Sequence, residues 1–264
     1  MKKIAILLLA ILTFSCSDDD EKGTEENKGQ WAMIFNETVK SDSNPVDRTE
    51  KFMFDGERLI QHIIKQRYFE EEISNEVNLS YSDNQVTVTT DYLTLVYTLN
   101  SEGYASQCVY SLSSQNRIYQ FSYSAEGYLT GIVENIDNTE YSSTSLTYEN
   151  GDITSISSKM NGLENKFIYE PGEESSTYHL PCLGLLEIHP LTFHIEALYA
   201  GLLGKDPRHF TIRSCPAGSN DEKTIYSYEF DKKGNPSRMI CQTTYAGGQA
   251  NYYPYTRNIS VSFE

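Results

Sequence analysis

The side chains that could do chemistry in this 264-residue chain are five histidines, five cysteines and a surplus of carboxylates. His62, His179, His189, His194 and His209 are scattered. His189 and His194 stand five apart with Pro190 between them, which misses the i, i+4 geometry of a helix-borne zinc pair, and Glu187 nearby adds little. Cys108, Cys182, Cys215 and Cys241 are widely spaced, without the CxxC pattern of a zinc site. Two disulfides in three connectivities are open to them. Cys182 and Cys215 bracket one predicted helical segment and are the favoured pair, with buried free thiols as the alternative. The runs Glu70-Glu71-Glu72, Glu173-Glu174 and Asp221-Glu222 could in principle supply the two carboxylates of a glycosidase, but charged runs of this kind usually mark solvated edges. G-x-S-x-G, H-E-x-x-H and a phosphate-cradling glycine loop are absent, and no cofactor is expected. Among possible binding residues, Tyr245, Tyr252, Tyr253 and Tyr255 surround the glycine-containing tip YAGGQANYYPY. They could stack on a sugar or form a protein hot spot, although alternate tyrosines in strands more often make cross-strand ladders.

These residues need a scaffold, and composition points to β-structure: 20 Tyr and 11 Phe against one Trp. Turn signals recur. Tyr97-Thr-Leu99-Asn-Ser-Glu-Gly103-Tyr, Phe121-Ser-Tyr123-Ser-Ala-Glu-Gly127-Tyr, Leu146-Thr-Tyr148-Glu-Asn-Gly151 and Tyr228-Glu-Phe230-Asp231-Lys-Lys-Gly234 share one plan, with a shortened copy at Phe52-Met-Phe54-Asp55-Gly56 and a degenerate one at Leu79 to Asn84. Alternating aromatics end a strand, and Asn, Ser or Asp opens a turn. Glycine three places on closes a type I turn with a bulge. Gly103, Gly127 and Gly151 fall 24 residues apart, a period of two strands and two turns. The expected architecture is a mainly β, long antiparallel meander over residues 31–264, curling into a half-open barrel. Leu191, Ile195, Leu198, Tyr199, Leu202 and Leu203 fall at helical spacing and predict one helix over about 190–204, packed on the concave face.

The N-terminus reads as an address. Lys2-Lys3 precede an apolar run, Ile4 to Leu12, too short to span a bilayer and suited to a signal peptide over residues 1–15. Thr13-Phe14-Ser15-Cys16 resembles the lipobox of bacterial lipoproteins, in a variant similar to those of Bacteroidetes but with Thr13 where leucine is usual. That resemblance implies cleavage before Cys16 and its acylation, and so a membrane partner reached through a lipidated N-terminus. Residues 16–30 are charged and nearly free of apolar side chains, as a flexible tether requires. Their acidic opening, Ser17-Asp18-Asp19-Asp20-Glu21, resembles the export signal that carries Bacteroidetes lipoproteins to the cell surface, with a periplasm-facing attachment as the alternative. A formal charge of -16 repels phosphate backbones and argues against nucleic-acid partners.

The hairpin units are similar to the YD repeats of Rhs-type and teneurin proteins. With the lipoprotein signal and the stretch Ala197-Leu-Tyr-Ala-Gly-Leu-Leu-Gly-Lys205, the chain resembles a Bacteroidetes lipoprotein family of unknown function with a porin-like β fold. The resemblance covers residues 31–264 and implies an architecture rather than a reaction. The expected function is a surface-anchored, non-catalytic binding or scaffold module with a glycan or protein ligand. A carrier of an apolar ligand in the concavity of the sheet, or a glycan hydrolase, are the alternatives.

Overall fold

A computed structural model describes residues 29–40, 46–68, 71–112, 115–176, 180, 183–219, 221–244 and 255–264. The predicted signal peptide, Cys16 and the predicted tether up to residue 28 lie outside them, while Gln30, assigned to that tether, opens the first strand. Sixteen strands account for most of the described chain: β1 (Gln30–Lys40), β2 (Val46–Asp55), β3 (Arg58–Tyr68), β4 (Glu71–Ser82), β5 (Gln85–Thr89), β6 (Thr94–Leu99), β7 (Ala105–Leu112) and β8 (Gln115–Tyr123) form the first half. The second half is β9 (Leu129–Ile136), β10 (Thr139–Glu149), β11 (Asp152–Met160), β12 (Leu163–Ser175), β13 (His209–Pro216), β14 (Lys223–Phe230), β15 (Pro236–Thr244) and β16 (Tyr255–Phe263). Each strand pairs antiparallel with the next, and β16 pairs with β1, from Met33 opposite Phe263 to Lys40 opposite Thr256.

The barrel is therefore closed, and the half-open meander expected from sequence is corrected. Hairpin signals are local, whereas closure depends on strand number, tilt and stagger summed around the whole sheet, which no single turn encodes. Closure also removes the two exposed edges a meander would carry.

The repeated turns lie at one end of the barrel. At Asn100, Ser124 and Asp231 the same device recurs: the N–H of Gly103, Gly127 or Gly234 donates to the carbonyl of the residue that opens the turn. The side-chain oxygen of that opening residue then accepts two further backbone N–H groups, two and four places on. Each turn is followed by a register shift, between Thr98 and Leu99, Ser122 and Tyr123, and Glu229 and Phe230, as a bulge requires. The Gly151 turn differs. Asn150 and Gly151 both have positive φ (54° and 89°), which makes a two-residue turn in place of the longer one expected there.

The predicted helix over 190–204 is also corrected. Its residues form a short 3-10 turn, Leu191–Phe193, and one five-residue helix, α1 (Ile195–Tyr199), preceded by another 3-10 turn at Leu183–Glu187. The apolar stripe is nonetheless buried: Leu191, Leu198, Tyr199, Leu202 and Leu203 are all at or below 9% exposure. The segment 183–208 runs through the barrel lumen, which encloses most of it and leaves positions such as Thr192 and Phe193 exposed. A path that needs no single apolar face need not stay helical, and Gly201 and Gly204 (φ 68° and 90°) turn it. Gly204 is also pressed so closely on the β8–β9 turn that an added Cβ would lie 2.6 Å from the carbonyl of Gly127.

This plug is wired to the glycine-turn end through backbone hydrogen bonds. Ala105 N–H donates to Leu202 O (2.7 Å), Lys205 N–H to Gly127 O (2.9 Å) and Arg208 N–H to Gly151 O (3.1 Å). Between plug and wall lies a continuous apolar core that includes Phe52, Phe54, Leu59, Val86, Tyr97, Tyr119, Ile132 and Ile156. Alternation sends these residues inward and the others outward. On β10, Leu146 and Tyr148 face in while Ser145, Thr147 and Glu149 are exposed. On the outer face of β3 and β4, the Gln61 amide donates to Glu76 and to Asn78. The inner face is largely apolar with a few charged side chains, and the outer face mixes polar side chains with part-exposed aliphatics such as Ile34, Val96, Val109 and Ile118.

Candidate functional site

Three histidine–carboxylate contacts and one histidine–tyrosine contact join the plug and its exit to the wall. On one flank, His62 of β3 is completely buried between two carboxylates. Its Nε2 lies 3.0 Å from Glu50 Oε2 on β2, and its Nδ1 lies 2.8 Å from Glu196 Oε1 on α1. With a carboxylate at each nitrogen, both must donate, so the geometry demands the imidazolium. Burial alone would lower the histidine pKa, but the hydrogen bonds to Glu196 and Glu50 outweigh it and raise it above the usual value. Burial would push Glu50 up; its bond to His62 and the charge of Arg48, whose Nε lies 2.7 Å from Glu50 Oε1, hold it down instead. Phe52 stacks between the imidazole (4.0 Å) and Tyr199 of the plug (3.9 Å), so the charged pin is held in an aromatic sleeve.

Towards the mouth the charges continue. Glu37 of β1 stands opposite Arg48 in register and is held by Arg257 of β16. Arg257, Glu37, Arg48, Glu50, His62 and Glu196 thus alternate in sign from the mouth down to the plug. A cavity of about 400 Å³ lies over this row, with Phe35, Leu186, Ile195, Met239 and Ile259 completing it.

The other flank holds a neutral histidine. His194, just before α1, is fully buried, with Tyr97 Oη 2.8 Å from its Nδ1 and the ring of Tyr119 set against it at 89°. Its Nε2 has no hydrogen-bond partner among the described residues. Burial without a carboxylate drives its pKa down to about 3. Beside it, Glu134 of β9 is fully buried and accepts from Arg117 Nη1 (3.1 Å), Tyr119 Oη (3.2 Å), Ser142 Oγ (2.7 Å) and His189 Nε2 (2.7 Å). Burial would raise its pKa; the bonds from His189 and Ser142 and the charge of Arg117 lower it. A third pair, His209 with Asp152 (2.8 Å), fastens the chain where the plug becomes β13.

A second cavity, about 350 Å³, opens at the same mouth between the plug and β11–β14, lined by Phe167, Tyr169, Tyr226, Asn165, Ser214 and His189 among others. Among the described residues no group of three or more His, Cys, Asp or Glu side chains is placed to hold a metal ion.

Most residues singled out from sequence lie elsewhere. Tyr245, Tyr252 and Tyr253 are outside the described residues, and Tyr255 opens β16 in register with Thr243. Cys182 and His179 also lie outside them. Cys215 of β13 and the buried Cys108 are free thiols, and Cys241 of β15 is buried. Glu71, Glu72, Glu173 and Glu174 are exposed on strand ends, and the carboxylates that do converge, Glu37, Glu50, Glu134 and Glu196, belong to none of the predicted runs. The sequence signal that marks them is a charge on the inward register of an aromatic alternation. Examples are Arg48-x-Glu50-x-Phe52-x-Phe54 and Arg117-x-Tyr119-x-Phe121.

Comparison with known proteins returns the same architecture. A family model described as a domain of unknown function (DUF4595) with porin-like fold matches residues 52–238. The chain is similar to a crystal structure of a porin-like protein from Bacteroides uniformis, at 26% identity and a TM-score of 0.79, covering 88% of this chain and 96% of that one. It also resembles a porin-like protein from Bacteroides vulgatus, at 13% identity and a TM-score of 0.54, over 87% of this chain and 97% of that one, a likeness of fold alone. No curated protein matches.

Proposed function

This chain belongs to the DUF4595 family of porin-like domains, and we propose that it is a sealed, water-facing member of it: a lipoprotein anchored in the outer membrane through Cys16, displayed at the cell surface, and acting as a non-catalytic binding module. The observation that carries this reading is the filled, largely apolar interior of the barrel. A membrane-spanning barrel turns an apolar band outward and a polar lumen inward. Here Phe52, Tyr97, Tyr119 and Ile132 fill the inside, and the outside carries Ser145, Thr147, Lys65 and Glu76 alongside part-exposed aliphatics such as Val96, Val109 and Ile118. A lumen occupied by residues 183–208 supports a closed body rather than a conduit. The strand number alone, which in porins accompanies an aqueous channel, does not decide the matter.

β1 begins at Gln30, opposite Asp55 and beside the Gly56 turn, so the chain that precedes β1 joins the barrel at the glycine-turn end. Both of these cavities open at the other end. Binding in these cavities is the activity that the geometry supports best. The two-part test measures anchorage and conductance. Cys16→Ala is expected to abolish lipid incorporation and to release the protein into the soluble fraction, and the purified wild-type protein is expected to form no channels in planar bilayers. A Cys16→Ala protein that stays membrane-embedded, or stable ohmic channels from the wild type, would overturn the reading.

A further inference from the structure

The two cavities differ in chemistry. The first is lined by guanidinium and carboxylate groups already paired with one another. The second contains no acidic, lysine or arginine side chain in its lining. Its wall is a single stripe on β12: Leu163 at the rim, Asn165, Phe167, and Tyr169 at the floor, alternate residues that all face inward. Ser158 stands opposite Asn165 in register, and Phe167 stands opposite Ile156. Across the space are Ser214 of β13, with Oγ 3.1 Å from Tyr226 Oη, and Thr224 and Tyr226 of β14. The plug supplies Gly184, Ile188 and His189.

This floor is built to close tolerance. An added Cβ at Gly184 would lie 2.7 Å from Tyr169 Cε1 and 3.1 Å from Tyr226 Oη, so only glycine brings the plug down onto the two tyrosines. His189 is fixed by its bond to Glu134 and by the edge-on ring of Phe193 (5.6 Å). The rim is open: Leu163 is 73% exposed and Met160 38%.

From this lining we infer that the cavity between β12, β14 and the plug binds an uncharged polyhydroxylated ligand, a neutral saccharide of one or two rings. The inference rests on the binding-module reading above and names the ligand class. A charged ligand would meet only His189, already held by Glu134, and would lose hydration with little compensation. A purely apolar ligand would cover the Asn165 amide at the open rim without replacing its bonds to water, and would leave unused the remaining hydrogen-bonding capacity of Ser158, Ser214 and Thr224, which each already hold one protein partner. A sugar matches both halves of the lining, because its C–H face lies on an aromatic ring while its hydroxyls reach amides and hydroxyls at the edge. The volume is at the small end of ligand pockets, which run from ~300 to ~1,000 Å³.

The test is titration of the full mature chain with neutral mono- and disaccharides of gluco, galacto, manno and N-acetyl configuration, with glucuronate and laurate as charged and apolar probes. At least one neutral sugar is expected to bind, and Phe167→Ala and Asn165→Ala each to weaken it by about tenfold, while Arg48→Ala in the other cavity leaves it unchanged. Phe167→Leu, which keeps the packing volume, separates loss of the ring face from loss of the fold and is expected to weaken binding too. Binding of laurate or glucuronate in preference to every neutral sugar would overturn the inference. So would neutral-sugar binding that survives Phe167→Leu but is lost in Arg48→Ala, or no neutral-sugar binding at all. None of these results bears on anchorage or conductance, so the sealed-barrel reading fails or stands separately.

Discussion

The plug meets the barrel wall through two buried histidines that solve the same problem in opposite ways. His62 is charged and sandwiched between Glu50 and Glu196, in a row of alternating charges that reaches the mouth. His194 is neutral, bonded to Tyr97, and surrounded by Tyr119 and Phe121. Burying an imidazolium is tolerable only when both nitrogens find carboxylates, whereas burying a neutral imidazole needs only a hydroxyl and apolar rings. Flank by flank, the plug is fastened by electrostatics on one side and by packing on the other.

The sharpest way to break that contrast is substitution. His62→Leu leaves two carboxylates facing each other across an apolar gap and is expected to cost about 3 kcal/mol in urea denaturation. The double variant Tyr97→Phe with His194→Phe removes both partners of a neutral bond and replaces them with rings of similar shape; it is expected to cost no more than about 1 kcal/mol. Equal losses in the two variants would mean that charge is not what distinguishes the flanks.

pH divides the flanks next. The folded-state pKa of His62 is raised, so its contribution is complete below its ordinary value, ~6.5, and is lost as pH rises through the folded value. His194 is depressed to about 3, so the unfolded chain takes up a proton that the fold refuses, and stability falls as pH drops from ~6.5 towards 3. Glu50 and Glu134, both lowered, add to the acid side as they protonate. Denaturation midpoints measured across pH should form a dome. His62→Leu should flatten its alkaline limb, and the Tyr97→Phe, His194→Phe pair its acid limb near neutrality. A variant that changes the wrong limb would refute the assignment of charge states.

A smaller effect belongs to the mouth. Arg257 and Glu37 keep 23% and 10% of their side-chain surface exposed, and their pairing is screened by water and salt. Glu37→Gln is expected to cost at most about 1 kcal/mol, and to cost less as salt is added. A loss as large as that of His62→Leu would extend the charged pin to the rim.

How much of this was readable in advance follows from the range of each interaction. The turns at Asn100, Ser124 and Asp231 are set by residues within five positions, and their chemistry was legible, down to the glycine that closes each turn. The pairing of Met33 with Phe263 joins the two ends of the chain, and nothing local announces it, so the closed barrel was missed. The helix was overread for a related reason: Leu191, Leu198 and Leu202 are apolar because the lumen encloses them, not because one helical face does. Glu50 and Glu134 are single carboxylates that no motif singles out, and only the aromatic alternation around them marks an inward register. His62 was visible only as a lone histidine, since its partners lie 12 and 134 residues away. The candidate site is thus least legible where it is most tertiary.

Thiol accessibility offers the finest resolution of the two flanks. Cys241 lies on β15 opposite Arg257, on the charged side, and Cys108 lies on β7 opposite Tyr97 and Tyr119, on the neutral side. Both are buried, and burial lifts the Cys108 thiol to about 12, so neither reacts with an aromatic disulfide reagent until its surroundings open. With Cys182 and Cys215 replaced by serine, raising the pH deprotonates His62 and loosens only the flank that depends on its charge. Labelling of Cys241 is then expected to accelerate ahead of Cys108, beyond the ordinary increase in thiolate, and His62→Leu should bring that acceleration down to lower pH. If the two thiols label in step at every pH, the flanks open as one cooperative unit, and the contrast between them is one of energy alone and not of local stability.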